Sequence, residues 1–192
     1  MSSGAREVEI KLAMAGVRAA RSLLRRARFR VSRPRLFETN EIFDTAALTL
    51  RNSGRLLRLR RAGSRTVVTY KGAARPGVHK NREEIETDVS AAAPMAAILS
   101  RIGFEPLFRY EKFRTEFKEA RGGGVVTLDE TPIGVYLELE GAPRWIDRTA
   151  RRLGFAKADY ITASYGRLYF EWCEQRCEQP KHMVFRRPPR GA

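Results

Sequence analysis

The chain has little cysteine and no long apolar run. Cys173 and Cys177 are the only cysteines in its 192 residues. They stand four apart, so a helix would put them on one face. His182 follows, but no fourth ligand does, and two reduced thiols are expected rather than a zinc site. No stretch approaches the roughly 20 apolar residues of a membrane span, so no membrane partner is expected. No apolar segment follows Met1 to Arg6. A secretory signal is therefore not expected, and the cytoplasm is the expected compartment.

Acidic residues are also scarce beside basic ones. Lys and Arg number 37, Asp and Glu 22, and the formal charge is +15. Such a surplus points to a polyanionic partner: nucleic acid, an anionic surface or phosphate-rich small molecules. Part of it is local, since eight arginines fall between Arg18 and Arg35.

What is present reads as one globular domain, with 43% hydrophobic and 31% charged residues and enough length for a core. The expected division is a flexible start at 1–5, a domain at 6–176 and a basic tail at 177–192. The tail is rich in Pro and Arg without periodicity, so disorder is expected there. Helical spacing predicts helices near 13–28, 93–102, 145–153 and 162–176.

Between the helices lie eight strand-like segments with one repeated pattern. The first is Glu7-Val8-Glu9-Ile10-Lys11. Strand side chains alternate, so Glu7, Glu9 and Lys11 share one face and Val8 and Ile10 the other. Later segments repeat this with Arg58 and Arg60, with Lys71, and with Arg82, Glu84 and Glu86. Lys112 and Arg114, Asp129, and Glu138 and Glu140 complete the set. Together these faces carry seven cations and seven carboxylates. An open sheet with a wet outer face would fit this pattern. So would an α+β fold built on a closed eight-stranded antiparallel barrel, with a charged lumen and an apolar outside covered by the helices. The barrel also gives the amphipathic helices a surface to cover and removes the sheet edges.

The chemistry of such a lumen follows from its residue types. Carboxylate pairs supply hard oxygen ligands suited to Mg²⁺ or Mn²⁺. Arginine and lysine rows suit a chain of phosphates. Both in one cavity describe a metal–polyphosphate site.

The ordered series Glu7-x-Glu9-x-Lys11, Leu57-Arg58-Leu59-Arg60, Thr69-Tyr70-Lys71-Gly72, Arg82-x-Glu84-x-Glu86, Lys112-x-Arg114, Leu128-Asp129-Glu130 and Glu138-x-Glu140 resembles the CYTH superfamily of triphosphate tunnel metalloenzymes. Asn40 to Thr45 and Ser164-Tyr165 extend the resemblance. It implies a triphosphate-binding tunnel in which Glu7, Glu9, Glu138 and Glu140, with Asp129, hold divalent metal. Lys11, Arg58, Arg60, Lys71, Arg82, Lys112 and Arg114 would bind phosphate. Glu84, Asp129 and Lys11 are the candidates for catalytic roles, with Glu84 orienting either water or the basic residues. Some relatives bring a basic residue from a C-terminal helix to the phosphates, and Lys157 and Arg167 are the candidates here.

The resemblance implies a hydrolase of inorganic triphosphate or a related organic triphosphate, with tripolyphosphate, thiamine triphosphate or ATP as substrates. A class IV adenylate cyclase uses the same tunnel and is the alternative. A binding module for polyphosphate or RNA, without turnover, is a further alternative. Nonspecific contact with RNA or polyphosphate through the tail is expected, and trimming after Gln179 is expected to spare activity. A dimer is compatible with the sequence.

Overall fold

A computed structural model describes residues 5–120 and 122–186. Its eight strands are β1 (Ala5–Met14), β2 (Arg30–Asp44), β3 (Leu56–Ala62), β4 (Arg65–Lys71), β5 (Lys80–Val89), β6 (Glu105–Lys118), β7 (Gly124–Thr131) and β8 (Gly134–Gly141). They close into a barrel in the order β1-β5-β4-β3-β2-β6-β7-β8, with every neighbouring pair antiparallel. Strand β1 closes the ring. It pairs with β5 through its first half and with β8 through its second. The closed barrel chosen over the open sheet is thus the observed fold.

The apolar faces look outward and are covered by helices. Helices α1 (Val17–Arg26) and α4 (Pro143–Arg152) pack Ala20, Leu24, Ile146 and Ala150 onto Ile10, Leu12, Val126, Leu128, Leu137 and Leu139. Helix α3 (Ala92–Arg101) covers Phe43 and Leu59 through Leu99. Burying these branched side chains stabilises each helix against the barrel by roughly 1.5–3 kcal/mol per residue. Trp145 sits against the start of β7. A Cβ on Gly124 would lie 2.5 Å from the indole and 2.5 Å from the Glu140 carbonyl, so only glycine fits. The preceding Gly122 and Gly123 have φ of 69° and 111°, the turn conformation their sequence suggests.

The short helix α2 (Thr49–Asn52) follows β2 and is held by Asp44, whose carboxylate accepts from the backbone N–H groups of Thr45, Leu50 and Arg51. The first helix begins later than its spacing predicts. Residues 13 and 14 remain in β1 because they pair with Tyr136 and Val135 of β8, and the turn at Gly16 precedes the helix.

The last helix, α5 (Tyr165–Glu174), lies across one end of the barrel. Ser164 caps it, accepting from the Arg167 N–H. Its Tyr165, Tyr169 and Cys173 pack against Ile42, Phe108, Tyr110 and Tyr136, which project from the barrel strands.

The chain after α5 differs from the expectation of disorder over 177–192. The Met183 backbone bonds to β6 on both sides, accepting from the Glu111 N–H and donating to the Arg109 carbonyl. Its side chain is fully buried. Phe185 packs on Phe37 and Phe113. The physical reason is that β6 outruns β7, whose pairing with it begins at Phe113. The stretch of β6 before that point has unpaired backbone groups, and residue 183 takes them up. Residues 187–192, in the tail, and 1–4, at the expected flexible start, lie outside the described part. No helix among the described residues is long and apolar enough to cross a membrane.

Candidate active site

All thirteen residues singled out from the strands as site residues face the lumen. Their arrangement follows from register. Glu9 lies opposite Glu140 and Lys11 opposite Glu138 across β1 and β8. Glu7 lies opposite Arg82 across β1 and β5. Arg114 lies opposite Asp129 across β6 and β7. One wall of the lumen, β1, β8 and β5, is therefore rich in carboxylates. The wall across the ring, β3 and β6, is rich in cations.

The two sets interlock. Lys71 Nζ lies 2.6 Å from Glu7 and 2.8 Å from Glu84, and Arg82 donates to Glu7 at 3.1 Å. Lys11 sits between Glu9 at 3.5 Å and Glu138 at 3.2 Å. Lys112 and Arg114 both bond Asp129, at 2.7 Å and 2.6–2.7 Å, and Arg114 also pairs with Glu138. Arg58 reaches Glu86 at 3.1 Å and Thr69 at 3.0 Å.

Further residues line the lumen beyond those the sequence singles out. Lys80, buried, gives its ammonium to Glu9 at 2.9 Å. Lys80 opens β5 and continues the alternation of Arg82 and Glu84. Glu38, also buried, stands 3.6 Å from Arg60 and 3.7 Å from Lys112. Asn40, with no exposure, accepts from Arg60 Nε at 2.9 Å. Both lie on β2, in the stretch from Leu36 to Ile42 that pairs with β6 without a shift. With Lys80 and Glu38 added, eight cations face eight carboxylates.

Protonation follows from these partners. Burial alone would raise the buried carboxylates. Arg114, Lys11 and Lys112 nevertheless hold Glu138 well below the usual range, and Lys11 and Lys80 do the same for Glu9. Burial pushes Lys80 down to about 8, against the pull of Glu9. Tyr110 comes down to about 8, because Arg58, Arg60 and Lys112 outweigh its burial. Glu140 is the exception among the four glutamates. Crowding by the protein at the lumen mouth, then Glu7, Glu9, Glu138 and Glu84, push it up to about 7, although its side chain remains partly open to solvent. It has no ion-pair partner among the described residues.

No three His, Cys, Asp or Glu side chains among the described residues stand close enough together to share a metal ion. The reason is visible: Lys71 stands between Glu7 and Glu84, and Lys11 between Glu9 and Glu138. The C-terminal basic candidates fall elsewhere. Lys157 is exposed and lies 3.7 Å from Asp147, and Arg167 is exposed and bonds Glu171 one turn along α5. Neither enters the lumen. The residue that α5 does bring in is Tyr165, whose hydroxyl donates to Asp129 at 2.8 Å. Its ring lies 5.2 Å from the Lys11 ammonium and 5.1 Å from that of Lys112.

A closed antiparallel barrel of eight strands, covered outside by helices and lined inside by interlocked charges, is the triphosphate tunnel fold. Residues 5–165 match the CYTH domain model, and the chain belongs to that family. It is a family of metal-dependent enzymes that act on nucleotide triphosphates such as ATP. A protein of Methanocaldococcus jannaschii named as a candidate adenylate cyclase is 28% identical over 134 residues, covering 70% of this chain and 75% of that one. Among solved structures, a candidate adenylate cyclase from Vibrio parahaemolyticus superposes with a TM-score of 0.73 at 21% identity. The match covers 86% of this chain and 98% of that one. A candidate adenylyl cyclase from Hippeastrum, for which a dominant triphosphatase activity is described, superposes at 0.65 and 20% identity over 86% and 95% of the two chains. These structural likenesses concern the fold.

Proposed function

We propose that the protein is a divalent-metal-dependent triphosphatase that cleaves inorganic triphosphate or an organic triphosphate inside the barrel. The observation that carries this reading is the presence of both charges in one closed lumen, with carboxylates predominating on one wall and cations on the other. Cations on β3 and β6 face carboxylates on β1, β5 and β8. Binding of an anion alone has no use for the second wall.

The donor set fits Mg²⁺ or Mn²⁺. Desolvation and four neighbouring carboxylates raise Glu140 to about 7, and a divalent cation would give it the counter-charge that Lys11, Lys71, Lys80 and Arg82 give its neighbours. Glu7, Glu9, Glu138 and Glu140 would hold the ion. Asp129 already bonds Lys112, Arg114 and Tyr165, which suits it to orienting those cations. When bound, the metal would neutralise phosphate charge and polarise a phosphoryl oxygen.

The chain's own groups supply the rest. Arg58, Arg60, Lys112 and Arg114 clamp phosphate oxygens from the opposite wall, the arginines in bidentate fashion. Lys11, Lys71 and Arg82 move from carboxylate partners to phosphate ones as substrate enters. Glu84 has its pKa raised by burial against the pull of Lys71, so it holds the attacking water and accepts its proton. The activity described for the Hippeastrum protein supports hydrolysis. Adenylate cyclase is the second reading, favoured by the names of the archaeal and Vibrio proteins.

The test is product identification. With Mg²⁺ or Mn²⁺, tripolyphosphate should give phosphate and pyrophosphate, and ATP should give ADP and phosphate. Cyclic AMP with pyrophosphate from ATP would establish the cyclase. No product from tripolyphosphate, ATP or thiamine triphosphate would sink the enzyme reading.

A further inference from the structure

Eight cations balance eight carboxylates in the lumen, so the tunnel accounts for none of the chain's surplus of +15. Much of that surplus has one address. Between Glu9 and Glu38 the sequence has no acidic residue. This acid-free stretch supplies α1 and the exposed first half of β2.

On α1, Arg18, Arg21 and Arg25 are exposed. None of the three has a carboxylate partner within ion-pair distance among the described residues. The helix carries no Asp or Glu of its own. The same three arginines line a groove between α1 and the barrel, whose other walls are Val17, Phe29, Val31 and Phe117. Val31 is 57% exposed, so the groove has an open apolar floor beside a cationic rim.

We propose that this groove binds single-stranded nucleic acid, independently of the tunnel. The helical rise puts Arg18, Arg21 and Arg25 at intervals of roughly 4.5 and 6 Å along the axis, close enough together for successive phosphates of one strand. Guanidinium groups suit phosphodiester oxygens because they bind them in pairs. The apolar floor gives ribose and base faces a surface to cover, the combination of basic track and apolar platform used for single strands. A bilayer is a poorer match. The outward face of α1 is arginine with Ala19, with no large apolar side chain to insert among acyl chains. Inorganic polyphosphate matches the arginines and has no use for the floor.

The experiment is fluorescence anisotropy of a labelled single-stranded RNA against the full chain across a salt series. Replacing Arg18, Arg21 and Arg25 together by alanine should weaken binding at least tenfold at low salt. It should also flatten the slope of log affinity against log salt by about 2, as loss of three phosphate contacts to a single strand requires. The Arg→Lys triple variant should keep the slope. Val31→Ser, which removes apolar surface without adding charge, should weaken RNA more than polyphosphate. Triphosphate hydrolysis should be unaltered in every variant. Unchanged RNA affinity in the alanine variant would overturn the proposal. So would equal loss of RNA and polyphosphate binding in Val31→Ser, or attachment to phosphatidylserine vesicles that RNA does not displace.

Discussion

The Tyr165 hydroxyl and the Asp129 carboxylate meet at 2.8 Å inside the barrel. This one bond joins the helix that covers the end of the lumen to the residue that orients Lys112 and Arg114. Asp129 has no exposure, so each bond it accepts replaces one that water cannot supply.

Tyr165→Phe should therefore lower stability by about 1 kcal/mol, read from chemical denaturation. Lys112 and Arg114 keep their carboxylate. Turnover should fall only several-fold, with KM rising more than kcat falls. A loss of all activity with unchanged stability would place Tyr165 in the chemistry itself.

Glu138→Gln should reduce kcat by at least about 100-fold while the circular dichroism spectrum stays that of the wild type. Glu138 faces both Lys11 and Arg114. The amide preserves shape but removes the charge proposed to bind metal, and it leaves one oxygen to accept where Glu138 offers two. Full activity in this variant would remove the metal role from β8.

Glu38 should make stability depend on acid. Burial raises its pKa, but Arg60, Lys112, Arg114 and Arg58 prevail and hold it down at about 2. A carboxyl whose folded pKa is depressed stabilises the fold above its unfolded value and loses that contribution as pH falls toward the folded one. The window here runs from about pH 4.5 down to about 2, and the shift corresponds to on the order of 3 kcal/mol. Denaturation midpoints measured through that window should fall steeply in the wild type and less steeply in Glu38→Gln.

Met183→Ala should cost about 2–5 kcal/mol, because the side chain is fully buried against Tyr110, Tyr165 and Tyr169. For the same reason, trimming the chain after Gln179 should destabilise it rather than leave it untouched, contrary to what the composition of the tail suggests. Thermal unfolding of the trimmed chain gives the answer.

Most of the barrel was legible because alternation of charge and branched apolar residues is a period-two signal that survives without any partner strand. Glu7, Glu9 and Lys11 show it in five residues. What failed to show had specific causes. Lys80 is the first residue of β5 and follows a loop, so only one side of it shows the alternation. Glu38 and Asn40 sit on β2, where Leu36, Phe37, Ile42 and Phe43 blur the alternation. Tyr110 is aromatic on a face otherwise ionisable, because α5 packs on it there. Met183 belongs to a segment whose only regular feature is a single bridge to β6, and one bridge leaves no period in a sequence.

Helix α5 covers one end of the barrel, while Glu140 at the other end stays exposed. Under the proposed function, a linear phosphate chain would enter from the Glu140 side, and its leading end would come to rest beside Tyr165.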